Sequence, residues 1–99
     1  MQLDRKQKKH LRGLAHHLKA VIQIGSAGAT QMLKAELNQA LEHHELVKVK
    51  IRASNRAERE KLLADIVTGT DAALVTRIGN IAVLYRRNKE KPGIEIPGR

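Results

Sequence analysis

Ninety-nine residues, 41% hydrophobic and 29% charged, fit one globular domain with a modest core and exclude a disordered chain. The absence of cysteine excludes disulfides, thiol catalysis and thiolate zinc sites, and points to a reducing compartment. Nineteen Lys and Arg against ten Asp and Glu leave a formal charge of +9 and a pI near 10.4, a balance that attracts a polyanion.

The elements follow one another clearly. A first helix is expected from about Asp4 to Leu18, with Asp4 and Gln7 as a capping box and Leu11, Leu14, Ala15 and Leu18 on the buried face. Val21-Ile22-Gln23-Ile24 reads as a short β-branched strand, broken by Gly25-Ser26-Ala27-Gly28. A second helix follows from about Thr30 to His43, burying Leu33, Leu37, Ala40 and Leu41. In Leu46 to Arg52, Val47, Val49 and Ile51 point one way and Lys48, Lys50 and Arg52 the other, as a strand requires. Asn55 and Glu58 cap a third helix that buries Leu62, Leu63, Ile66 and Val67 and is expected to stop at Thr68-Gly69. Strands at about Ala73–Ile78 and Ile81–Arg86 flank Gly79-Asn80, a hairpin signal.

The order α-β-α-β-α-β-β predicts an α/β (α+β) two-layer sandwich around a four-stranded mixed sheet. One domain is expected over residues 1–87. The remaining segment, 88–99, with Pro92, Gly93, Pro97 and Gly98, reads as a loose tail. No segment approaches the ~20 apolar residues that cross a bilayer, and the basic N-terminus has no apolar stretch behind it. A cytoplasmic protein with no membrane partner is expected.

Charge is laid down in blocks: +5 over residues 1–20, −2 over 21–45, +4 over 46–61, −2 over 62–76 and +4 over 77–99. Such blocks predict one basic face and one ordinary face. On the first helix Arg5, Lys8, Lys9, Arg12, His16 and Lys19 fall within an arc of about 100° beside the apolar stripe. No acidic residue lies among them to form i,i+4 pairs, which favours a polyanion-binding stripe over a merely solvated face. Lys48, Lys50 and Arg52 form a second basic row. It serves either nucleic acid or, were the strand at an edge, protection against sheet-to-sheet pairing.

Gly25-Ser26-Ala27-Gly28 lies where a strand ends and a helix begins. There, unpaired amides and the positive helix end can receive a phosphate, and glycine lets a backbone approach. A GxxG pattern arises easily in a chain with seven glycines, so its weight comes from that junction. The candidate nucleic-acid-binding set is therefore Gly25, Ser26, Ala27, Gly28 and Thr30, with Arg5, Lys8, Lys9, Arg12 and Lys19, and with Lys48, Lys50 and Arg52. Tyr85 is the one aromatic residue among Phe, Trp and Tyr, which excludes modules that stack several bases on a sheet. Binding should run through backbone and shape.

Catalysis finds no support. Adjacent histidines at His16-His17 and His43-His44 diverge by about 100° on a helix and chelate poorly. Ser26 has no identifiable base, Asp65 and Asp71 stand alone, and no P-loop or dinucleotide motif occurs. No metal, cofactor or enzymatic activity is expected. A DNA-coating chromosomal protein of similar build is the alternative to an RNA-binding one.

Four stretches carry a likeness: Leu11-Arg12-Gly13-Leu14-Ala15, Val21-Ile22-Gln23-Ile24-Gly25-Ser26-Ala27-Gly28-Ala29-Thr30, Ala40-Leu41-Glu42-His43-His44-Glu45-Leu46-Val47-Lys48-Val49-Lys50 and Ile78-Gly79-Asn80-Ile81-Ala82-Val83-Leu84-Tyr85-Arg86. In their order and spacing the sequence resembles the CRM domain family, named for chloroplast RNA splicing and ribosome maturation, and its bacterial single-domain YhbY-like form. The resemblance implies a fold like the C-terminal domain of bacterial translation initiation factor three, preceded by an extra helix. It further implies RNA binding at the GxxG loop beside a basic surface, and association with precursors of the large (50S) ribosomal subunit through ribosomal RNA. A monomer is expected. Many members carry a basic or polar residue inside the loop. Here Ser26-Ala27 brings no charge, which places more weight on the first helix.

Overall fold

Three short polar side chains start the three helices. In the computed structural model, which describes residues 2–25, 28 and 30–97, Asp4 accepts from the Gln7 amide at 2.8 Å and Gln7 Oε1 accepts from the Asp4 amide at 3.0 Å. This is the expected capping box, and it opens α1 (Arg5–Ala15). Thr30 Oγ1 accepts from Leu33 N at 3.1 Å to open α2 (Gln31–His44), and Asn55 Oδ1 accepts from Glu58 N at 2.8 Å to open α3 (Arg56–Thr70). Between them run β1 (Ala20–Ile24) and β2 (Leu46–Ile51), followed by β3 (Ala73–Ile78) and β4 (Ile81–Tyr85).

The end of α3 differs from expectation. Gly69 lies inside the helix, against the aliphatic stem of Lys34 on α2, where an added Cβ would come within 3.0 Å of Lys34 Cε. The helix stops two residues on, where Asp71 takes the left-handed conformation at φ 57°.

The sheet order is β1-β2-β4-β3. β1 and β2 are parallel, and β4 runs antiparallel to both β2 and β3. Strand alternation sends Val47, Val49 and Ile51 to one face, where they join Ile22, Ile24, Leu37, Leu41, Leu63, Ile66 and Leu84 under α2 and α3. This is the expected two-layer sandwich. Each of these side chains contributes roughly 1.5–3 kcal/mol relative to full exposure. On β3, alternation sends Leu74 to this core and Val75 to the opposite one, and a register shift between Leu74 and Thr76 leaves Thr76 facing the same side as Val75.

The opposite face carries the extra helix. Leu11 and Ala15 of α1 pack with Leu46, Val75, Val83 and Tyr85, so α1 covers part of the sheet from the far side. Its buried line is Gln7, Leu11 and Ala15; Leu11 and Ala15 are buried as expected, Leu14 is not, and the helix ends at Ala15, short of the expected Leu18. Leu14 and Leu18 stay 42% and 37% exposed, Leu18 lying beyond the end of the helix.

Residues 88–97 form no helix or strand, yet they are not loose as composition suggested. The Glu45 carboxylate accepts from the amides of Asn88 at 2.7 Å and of Gly93 and Ile94 at 2.8 Å each. Ile96 is buried beside Leu11, and Gln7 Nε2 donates to the Pro97 carbonyl at 3.0 Å. The reason lies in a buried carboxylate with three backbone donors, a charge-assisted set stronger than neutral bonds.

Candidate nucleic-acid interface

The strand ends gather the first part of the site. Arg52 N donates to the Ile24 carbonyl and Ile51 N to the Asn80 carbonyl, both at 2.7 Å. Gly25, Arg52 and the Gly79-Asn80 turn therefore share one end of the sheet. Gly28, at φ 78°, donates its amide to the Gly25 carbonyl at 3.0 Å, and the Thr30 amide donates to the Gly28 carbonyl at 3.0 Å. These two amides are committed within the turn, so the expectation of outward, unpaired donors does not hold at Gly28 or Thr30. Ser26 and Ala27 lie outside the described residues. With Leu33 capped by Thr30, the amides of Gln31 and Met32 form the positive end of α2, since first-turn amides have no carbonyl within their helix.

The open sheet face supplies the second part. β2 lies between β1 and β4, so Lys48 and Lys50 cannot be guarding an edge. They are half-buried on the α1 side of the sheet, opposite the face that holds Val47, Val49 and Ile51. Arg12 of α1 and His16, just past its end, line a hollow of about 250 Å³ together with Lys48, Thr76, Ile78, Ile81 and Val83. Arg5, Lys8, Lys9 and Lys19 are exposed along and just beyond α1. Lys50 pairs across with Gln23, two residues short of Gly25. The Lys48–Lys50 row thus runs from the hollow beside Arg12 toward the sheet end that holds Gly25.

Other basic residues belong to the fold. The Arg86 guanidinium donates to Asn38 Oδ1 and the Thr70 carbonyl at 2.7 Å each and to the Asn38 carbonyl at 3.1 Å, with Glu42 at 3.7 Å. It ties α2 to the end of α3. Arg77 pairs with Glu60, and Arg59 donates to Asn80 Oδ1 at 2.9 Å, steadying the hairpin turn. Sequence reasoning missed Thr76, Ile78 and Ile81 as parts of the surface. The available signal was Ile78, an aliphatic residue at the tip of a hairpin that is 70% exposed in the fold. Among the described residues no group of three or more His, Asp or Glu could hold a metal ion, and no helix is long and apolar enough to cross a membrane.

Fold and surface together define a small α+β domain with one cationic, partly open sheet face that ends in a glycine loop. The chain belongs to the CRS1 / YhbY (CRM) domain family, which it matches over residues 3–86. A Haemophilus influenzae protein named "RNA-binding protein" is 45% identical over 95 residues, covering 96% of this chain and 95% of its own length. A Bacillus subtilis relative, "Probable RNA-binding protein YqeI", is 37% identical over 95 residues, covering 96% of this chain and 99% of its own. The solution structure of a Staphylococcus aureus protein superposes with a TM-score of 0.82 at 35% identity, over 97% of this chain and all of that one.

Proposed function

We propose that this protein is a non-catalytic RNA-binding factor. It holds structured ribosomal RNA and associates with precursors of the 50S subunit during assembly, as a monomer in the cytoplasm. The observation that carries the reading is the interior position of β2. Two lysines on one face of a central strand repel each other and gain nothing for the sheet, yet Lys48 adds its charge to the hollow that Arg12 and His16 line. A row of phosphates compensates that charge. The names of the relatives supply the class of polyanion. In this reading Arg5, Lys8, Lys9, Arg12 and Lys19 attract the RNA, and Lys48, Lys50 and Arg52 hold its backbone. Gly25 to Gly28 and Thr30, at the positive end of α2, let one strand approach closely.

The test is a titration of a precursor ribosomal RNA fragment at several salt concentrations. If ~5 phosphates are neutralised, log affinity falls against log salt with a slope near −3.5, the single-strand value. In a fractionated extract the protein travels with free 50S precursors, and added magnesium leaves the bound RNA uncut. Salt-insensitive binding, or preference for duplex DNA at fixed salt, contradicts the reading.

A further inference from the structure

The hollow between α1 and the β3–β4 hairpin combines two chemistries that seldom meet on a solvated surface. Its floor is aliphatic, made by Ile81 and Val83 of β4, and Ile78 of β3 stands 70% exposed at its rim. Arg12 and Lys48 also line it. A purely electrostatic backbone site gains nothing from an exposed isoleucine, and an apolar peptide gains nothing from two flanking cations. A nucleotide uses both, since its base has an apolar face and its phosphate a charge.

We propose that this hollow receives one unpaired nucleotide of the bound RNA, the base lying on Ile78, Ile81 and Val83 and the phosphate between Arg12 and Lys48. The inference rests on the RNA-binding reading and narrows it to RNA with a bulged or looped-out residue. A base within a continuous helix is stacked on both faces and cannot enter. The hollow, of about 250 Å³, has room for a single base. Few side chains could read a base edge, Thr76 and His16 among them, so the identity of the nucleotide matters little. Aliphatic packing here does the work for which other modules use aromatic rings, and that suits a chain whose one tyrosine, Tyr85, is wholly buried.

Two RNA hairpins that differ only by a one-nucleotide bulge, with 2-aminopurine at the bulge, test the proposal on the intact protein. The bulged hairpin binds more tightly by about fivefold, the low end of what base stacking on a protein gives, and its 2-aminopurine fluorescence changes on binding. Ile78→Ser, at an exposed position, brings the ratio of the two affinities to about one. Equal affinity of the unaltered protein for both hairpins, with unchanged fluorescence, overturns the proposal while leaving RNA binding intact. Failure to bind either hairpin overturns both readings.

Discussion

Gly28 holds φ 78°, a region that residues with a Cβ rarely occupy, whereas a Cβ added at Gly25 would meet open space. The GxxG spacing was legible in the sequence, but this difference between its two ends was not, because it arises from the turn's own hydrogen bonds. Gly28→Ala is expected to cost about 1 kcal/mol through backbone strain, since its Cβ meets only ordinary contact with Leu62 at 3.5 Å. Gly25→Asp keeps stability within about 0.5 kcal/mol and weakens RNA binding by placing a carboxylate at the loop. Denaturant midpoints and an RNA titration on the two variants separate these effects. A Gly25→Asp protein that unfolds as readily as it loses RNA would make the loop purely structural. Arg86 shows a related limit: nothing in the sequence fixes which way it faces, and only the fold reveals that Asn38 and Thr70 hold it.

At the scale of elements, hydrophobic period and capping residues located all three helices and all four strands within a few residues. Periodicity reports that a face is buried, not what buries it. It therefore could not say that α1 covers the far side of the sheet, nor that β4 inserts between β2 and β3. Proline and glycine made residues 88–97 read as loose, because their anchor, Glu45, lies more than forty positions away. Removing that anchor leaves three backbone amides without their carboxylate. Glu45→Ala is expected to lower stability by about 1–3 kcal/mol and to release the amides of Gly93 and Ile94 to rapid hydrogen exchange. Retained protection at both would show that Ile94 and Ile96 hold the segment by packing alone.

Across the whole molecule the formal charge of +9 was legible at once, as was its division into blocks. Its placement was not, since the basic helix and the basic strand face each other only once α1 folds onto the sheet. Position, rather than total charge, makes the binding surface. Two doubly substituted proteins of equal net charge test it. One carries Arg12→Glu with Lys48→Glu; the other carries Lys61→Glu with Lys89→Glu, at exposed positions on α3 and in the C-terminal segment. Measured against one structured RNA at fixed salt, the first pair is predicted to lose at least about tenfold more affinity than the second. Equal losses would contradict the claim and reduce the protein to a diffuse cation.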